Sequence, residues 1–498
     1  MLALRGITKS FPGVVANDGI TIEVAAGEIH ALLGENGAGK TTLMNILYGV
    51  YQPDAGEIYL GGRQVKIRSP RDAIALGIGM VPQHFLLVRR HTVAENIALG
   101  ASDTPALFPT KQIEARVQNL GPRYGLAVDP RARIWELSPS EQQRVEILKA
   151  LIRGAQVLIL DEPTSVLTPQ EAQNLFGVLR RMRQEGHSVI FITHKLDEVM
   201  DVADRVTVLR RGRVVATLPI GETDKRSLAR MMVGRDVEFQ IPREPRRTSG
   251  AALVVEMLEA DNDRGVPALR GISFDVGRGE IFGVAGVAGN GQRELVEVLT
   301  GLRPATRGRM RLNDRDITSL PARSLHEAGV AHIPEDRTRL GVVPTMSVAE
   351  NLVLKQYRYP PFSRGQVIDN GAVMQFARRM IDEYAIATPG PHVPVRLLSG
   401  GNIQRLILAR ELSGRPALVV ASHPTAGLDV SATEQTHALL LRHRREDVAI
   451  VLVSEDLDEI LRLSDRIAVL FSGEIVGLLP AGDATRERLG LMMMGQRA

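Results

Sequence analysis

Ala25 to Val50 reads AAGEIHALLGENGAGKTTLMNILYGV: a short apolar run, a turn with glycines at 34, 37 and 39, then Lys40, two threonines and an amphipathic run. EIHALLG has the length and apolar content of a buried strand, and KTTLMNILYG carries a helical period. GENGAGKT, Gly34 to Thr41, has the spacing G-x-x-x-x-G-K-[ST] between strand and helix, the context that gives this spacing meaning. Glycines let backbone N–H groups turn inward around phosphate oxygens, and the helix N-terminus adds its partial positive charge. Lys40 supplies a full charge for the outer phosphates, and the Thr41 hydroxyl can ligate Mg²⁺. Gly34, Glu35, Asn36, Gly37, Ala38, Gly39, Lys40, Thr41 and Thr42 are therefore the expected nucleotide cradle.

A second apolar run, VLILDEP at Val157 to Pro163, ends in two carboxylates. Asp161 is suited to hold Mg²⁺. Glu162, one residue further along, is suited to orient and polarise an attacking water. Both depend on the cradle before them; alone they would read as a solvated strand end.

The chain repeats itself. Ala25–Val50 returns as GRGEIFGVAGVAGNGQRELVEVLTGL at Gly277 to Leu302, offset by 252. LSPSEQQRVEILKALIRGAQVLIL returns as LSGGNIQRLILARELSGRPALVVA at an offset of 261, which puts nine extra residues between Glu335 and Ser399. A period of about 250 residues is too long for a solenoid unit and indicates two homologous domains. The expected division is 1–241, a basic Pro-containing linker 242–250, and 251–498. Alternating strand and helix patterns predict an α/β fold with a parallel sheet in each half. Residues 85–150 and 336–412 read as largely helical inserts.

Composition narrows the class. With 498 residues, 44% hydrophobic and 24% charged, the chain has the make-up of a globular protein of more than one domain. A net charge of +4 is too small to argue for nucleic acid. The absence of cysteine excludes disulfides, thiol catalysis and Cys-ligated metal. The opening MLALRGITKSFPG lacks a basic segment followed by a long apolar run, so no signal peptide is expected. No apolar stretch approaches the roughly 18–20 residues of a membrane span.

The cradle and the Asp-Glu pair, together with LLSGGNIQR at Leu397 to Arg405, resemble the ATP-binding cassette (ABC) ATPases over both halves. The resemblance implies tandem P-loop ABC-type domains, each a RecA-like core with an ABC β-subdomain and a helical insert, using ATP and Mg²⁺. It implies that Phe11 stacks on adenine. Gln83 would sense Mg²⁺ and the membrane partner, His194 would contact the γ-phosphate, and Ser399, Gly400, Gly401 and Asn402 form the signature motif.

The offsets then test each position of the second half. Lys40 becomes Gln292, Thr41 becomes Arg293, Gln83 becomes Glu335, Asp161 becomes Ser422, Glu162 becomes His423, and His194 becomes Glu455. Phe11 falls opposite Asp263. The signature decays in the other half: Ser138, Pro139, Ser140 and Glu141 stand where the second half has Ser399, Gly400, Gly401 and Asn402, and Thr168 stands opposite Asp429. Pro139 has no N–H to give, and Glu141 brings a negative charge. In this family two cassettes pair head to tail, each ATP lying between one phosphate loop and the other domain's signature. That pairing sorts the intact residues, with Asp429, into one hydrolytic site and the eroded ones into a degenerate site.

The resemblance further implies a subunit peripheral to the cytoplasmic face of the membrane, serving two transmembrane permease subunits and an extracytoplasmic substrate-binding protein, with no nucleic acid. Tandem cassettes on one chain are similar to the subunits of simple-sugar and nucleoside importers, and the Ser-His pair favours the nucleoside branch over a pentose or hexose. A tandem-cassette ATPase acting on ribosomes or DNA is the distant alternative, disfavoured by the short linker and the lack of a sustained heptad run.

Overall fold

The computed structural model describes residues 1–83, 85–99, 110–165, 167, 169–234, 250–287 and 289–497. The chain divides into two compact units, Met1–Phe239 and Gln240–Ala498. Of the expected linker only Gly250 lies among the described residues. No helix of the described residues is long and apolar enough to cross a membrane.

In the first unit a six-stranded sheet runs Arg213–Pro219, Arg205–Arg210, Ile29–Gly34, Ser188–Thr193, Val157–Asp161, Ile78–Val81. All neighbours are parallel except the first pair. The second unit repeats this order with Glu474–Pro480, Arg466–Phe471, Ile281–Ala285, Ala449–Ser454, Leu418–Ser422 and Val330–Ile333. Each unit adds an antiparallel four-stranded sheet, built around Leu2–Phe11 and Ala251–Asp261 respectively.

These central strands read as unbroken apolar runs because both faces are covered. Val157 and Ile159 pack with Leu2, Leu4, Ile20 and Leu43 under the antiparallel sheet, whereas Leu158 and Leu160 pack with Val93, Ile134, Val145 and Leu148 of the helical insert. Leu418 and Val420 against Val419 and Ala421 divide the same way in the second unit. The inserts are helical as expected, at Val93–Ala98, Thr110–Tyr124 and Pro139–Ile152 in the first unit. The second unit's insert holds helices Val348–Val353, Asn370–Glu383 and Gly400–Leu412. It differs from a purely helical segment by the short hairpin Ser363–Arg364 with Val367–Ile368 and a π-helical turn at Arg337–Gly341.

A buried carboxylate ties the cradle strand to the edge of each sheet. Glu280, whose side chain is fully buried, accepts from the Gly277 N–H at 2.5 Å and from Arg466 Nε at 2.7 Å. The same guanidinium donates to the Asp275 carbonyl at 2.6 Å and lies over the Phe282 ring. In the first unit Glu28 accepts from the Ala25 N–H at 2.6 Å, is paired with His30 Nδ1 at 2.8 Å, and meets Arg205 at a looser 3.4 Å. Removing one partner of a buried ion pair is costly, so Arg466→Ala is expected to lower stability by about 3 kcal/mol. Arg205→Ala, which leaves the His30 contact in place, should cost about 1 kcal/mol. Denaturant unfolding of the full chain with each substitution measures both.

Candidate functional site

The cradle strand Ile29–Gly34 is buried throughout and delivers the chain into the turn at the carboxyl end of the sheet, where α/β folds place their ligands. Gly39, at φ 99°, precedes the helix Lys40–Leu47 and leaves its N-terminus without a side-chain cap. A Cβ on Gly39 would lie 2.2 Å from the Ala16 carbonyl oxygen, so the main chain passes where only glycine fits. Asn17 holds this crossing from the other side, donating to the Gly39 carbonyl at 3.0 Å. Lys40 is buried, and its Nζ donates to the carbonyls of Gly34 at 2.6 Å and Glu35 at 3.0 Å.

Two strands away Val157–Asp161 ends beside this turn. Asp161 is buried; burial, then repulsion from Glu162, pushes its carboxyl up to about 6 despite Lys40 and a hydrogen bond with Thr41. Glu162 has a left-handed φ of 46°, and its N–H donates to the Ile192 carbonyl at 3.0 Å. Its carboxylate is gripped from two sides, by Gln83 Nε2 at 2.9 Å and His194 Nδ1 at 2.9 Å. Burial pushes that carboxyl up, but the His194 hydrogen bond and charge, with Lys40 and Lys195, outweigh it and hold Glu162 below its ordinary value. The first unit thus brings Lys40, Thr41, Gln83, Asp161, Glu162 and His194 into one cluster, as the sequence predicts.

The donor set fits Mg²⁺ rather than a softer ion. Thr41 hydroxyl, Asp161 carboxylate and Gln83 amide offer hard oxygens, and no group of three or more His, Cys, Asp or Glu gathers for a metal among the described residues. Mg²⁺ ordinarily takes one or two carboxylates and completes its shell from phosphates and water. A carboxylate that burial and a neighbouring charge make hard to ionise is also one that a cation would relieve.

Phe11 lies edge-on to Tyr51 with ring centroids 5.4 Å apart and with Lys9 Nζ over its face at 5.8 Å. Tyr51 was not among the residues expected from the motifs. The repeat contains the signal for it, since Tyr51 stands opposite Arg303 just as Phe11 stands opposite Asp263. In the second unit Arg303 Nη2 meets Asp263 at 2.6 Å, so an aromatic pair has become an ion pair at the same two positions. Arg293, in the place of Thr41, joins it at 3.3 Å from Asp263 and 2.8 Å from Glu297. Arg303, then Arg293, hold the Asp263 carboxyl below its ordinary value.

The described residues of the second cradle keep their path and lose their chemistry. Gly291 has φ 108°, and Gln292 Nε2 donates to the Val287 carbonyl at 2.9 Å, as Lys40 does to Glu35. Gln292 carries no charge, and its Oε1 accepts the Asn290 N–H at 3.1 Å. His423 has the same φ of 46° as Glu162, and its N–H bonds the Val453 carbonyl at 2.8 Å. Ser422 Oγ lies 3.3 Å and Glu335 3.9 Å from the same ring nitrogen, His423 Nδ1. A serine–histidine–carboxylate relay needs both ring nitrogens, so this cluster is not one. Glu455 is exposed where the first unit has His194.

The signature segments differ at a helix N-terminus. In the second unit Gly400–Leu412 starts at Ser399, whose hydroxyl takes Asn402 Nδ2 at 2.9 Å and leaves the backbone N–H groups without a side-chain cap. In the first unit Pro139–Ile152 is closed on itself. Ser138 Oγ accepts from the Glu141 N–H at 3.3 Å, and the Glu141 carboxylate takes the Ser138 N–H at 2.8 Å. Ser140 is buried within that turn. Asp429 is the N-cap of Val430–Arg445, accepting from the Ala432 N–H at 2.8 Å. Thr168, its counterpart by sequence, lies outside the described residues.

Comparison with known proteins matches a family model described as "ABC transporter" to residues 17–165 and 269–426. The chain is 46% identical to a glucose import ATP-binding protein of Haloferax volcanii, over 99% of this chain and 96% of that one. It is 46% identical to a nucleoside import ATP-binding protein of Lactococcus lactis, over 99% and 98%. It is 45% identical to a guanosine import ATP-binding protein of Bacillus subtilis, over 99% and 97%.

The tight crossing at Gly39 makes a sharp test. Gly39→Ala forces a left-handed residue into contact with the Ala16 carbonyl, a strain worth about 1–3 kcal/mol. The expected result is a matching loss of stability in thermal unfolding, with Gly37→Ala, where open space surrounds the added methyl, costing less.

Proposed function

Because this chain belongs to the ABC transporter family, we propose that it is the ATP-hydrolysing subunit of an importer, with one hydrolytic site and one degenerate site per chain. The observation that carries the reading is the grip of Gln83 and His194 on Glu162, beside Asp161, Thr41 and Lys40. Phe11 and the cradle hold the nucleotide, Lys40 faces its outer phosphates, and Thr41, Asp161 and Gln83 hold Mg²⁺. The ion, when bound, neutralises phosphate charge. Glu162, ionised and fixed from two sides, orients a water and accepts its proton at a carboxylate oxygen. A bond forms from the water oxygen to the γ-phosphorus, and the bond to the bridging oxygen breaks.

The second half, taken as 251–498, supplies the signature Ser399, Gly400, Gly401 and Asn402 and the loop of Asp429 to the nucleotide held by 1–241. Three features support this assignment over its converse. The Gly400 helix has N–H groups free of side-chain caps, the Pro139 helix has no N–H at its first residue and gives that of Glu141 to Ser138 Oγ, and the Asp263–Arg303 pair stands where a base would stack. Residues 242–250 link the two.

From the cytoplasmic face of the membrane the subunit serves two permease subunits, which an extracytoplasmic substrate-binding protein supplies. In the second unit a groove of about 530 Å³, lined by His326, His332, Leu354, Lys355 and Tyr359, lies beside Pro334 and supports a docking partner near Glu335. The favoured solute is a nucleoside, from the Ser422–His423 pair and the nucleoside and guanosine import relatives. A sugar is the second reading, favoured by the glucose import relative at equal identity. With the chain assembled on its co-purified permeases, binding protein loaded with nucleoside should stimulate ATP hydrolysis and protein loaded with glucose should not; the reverse result selects the sugar.

Glu162→Gln should retain ATP and lose turnover by about 100-fold or more, the scale of a removed catalytic group. His423→Ala should leave turnover within about twofold. Equal losses in the two variants would overturn the one-site assignment. Phe11→Ala should weaken ATP binding about tenfold, the size of one lost base–aromatic stack, while Asp263→Ala leaves it unchanged.

A further inference from the structure

After the edge strand Val330–Ile333 the second unit's chain passes Glu335 and enters the π-helical turn Arg337–Gly341. Asp336 caps it, its carboxylate accepting from the N–H groups of Thr338 at 3.1 Å and Arg339 at 2.9 Å. The turn is seated on the signature helix: a Cβ on Gly341 would lie 2.5 Å from Ile407 Cδ1. It is also an insertion. The offset between the halves rises from 252 at Gln83 and Glu335 to 255 at Thr92 and Ser347, so three of the second half's extra residues lie here.

From this base the Arg337 guanidinium reaches two segments at once. Nη2 donates to the Ala426 carbonyl and lies 3.4 Å from where a Cβ on Gly427 would stand. Nη1 lies 3.7 Å from where a Cβ on Gly400 would stand. Nη1 is buried and has no hydrogen-bond partner among the described residues, a cost that ordinary packing avoids. Burial also pulls the guanidinium below its ordinary value. The first half lacks the whole arrangement: opposite Gly400 and Gly427 it has Pro139 and Val166, and it is three residues shorter where the second half has the turn carrying Arg337. The arginine, the two glycines beside it and the open signature helix therefore occur together in one half and are absent together from the other.

We infer that Arg337 is a positioning residue for ATP hydrolysis, fixing the open N-terminus of the signature helix at Gly400 against the Ala426–Asp429 loop. The inference rests on the proposed reading, in which both segments face the nucleotide held by the first half. Arg337 belongs to neither the cradle nor the Gln83–Glu162–His194 cluster, so its loss acts on turnover and spares initial nucleotide capture. The planar guanidinium bonds Ala426 through Nη2 and lays Nη1 beside Gly400, whereas lysine can replace only the bond to Ala426.

Steady-state hydrolysis by the full chain tests this with Arg337→Ala, Arg337→Lys and Glu162→Gln side by side. Arg337→Ala should lower kcat about tenfold with KM for ATP within about twofold of the parent, the size of one lost charge-assisted hydrogen bond. Arg337→Lys should recover about a third of the lost rate, and thermal unfolding should be unchanged in both. Parent-like kcat in Arg337→Ala, with Glu162→Gln inactive, overturns this inference alone. A rate loss that lysine does not relieve, or one matched by a rise in KM or a fall in unfolding temperature, also overturns it, leaving Arg337 a packing residue. Active Glu162→Gln overturns the hydrolytic reading and this inference with it.

Discussion

A helix N-terminus can present its N–H groups to a phosphate only if its own side chains do not take them first. The division of labour between the halves depends on that constraint. At Lys40 and at Gly400 the first residues of the helix have no side-chain cap, because glycine or a serine turned to another partner stands at the N-cap position. At Pro139 the first residue has no N–H, and the Ser138–Glu141 box spends the Glu141 N–H on Ser138 Oγ. Such a box stabilises the helix that carries it. The first half's signature has thus become a better-capped helix and a poorer anion site, and one change brings both effects.

The second cradle follows the same logic with different chemistry. Its described residues keep the path, to the left-handed glycines and to the 46° φ shared by Glu162 and His423, because neighbouring parallel strands dictate the main chain. Side chains outside that ladder were free to change, and they changed as a set. An aromatic pair became the Asp263–Arg303 ion pair, and Arg293 closed onto it from the former hydroxyl position. The geometry of the turn is held by the sheet, while its charge is held by side chains alone.

Much of this was legible in the residues. Both parallel sheets, their buried central strands and the grouping of Lys40 with Asp161 and Glu162 follow from apolar runs and from motif spacing at strand ends, while His194 and the antiparallel sheets came with the family resemblance. The capping box at Ser138 was also legible as S-x-x-E, but it reads as an ordinary helix start until set against its open counterpart. Tyr51 and Arg337 were not legible from the motifs, and the repeat marks Tyr51 only through its opposite number Arg303. Neither belongs to a motif, and each acquires meaning from a partner at distant positions, Phe11 for one and Ala426 with Gly400 for the other. Asp429 shows the opposite limit: the motif marks it for a nucleotide, and within its own unit its carboxylate caps a helix.

The sequence by itself determined the duplication, the parallel α/β architecture and which positions retain phosphate chemistry, because periodicity and residue type are local and repeat at a countable offset. Only the tertiary structure decided which donors are already spent, which carboxylate is held between two partners, and where an arginine spans two loops. Those are matters of distance between residues far apart in the chain, and neither composition nor spacing encodes whether a given N–H has been used.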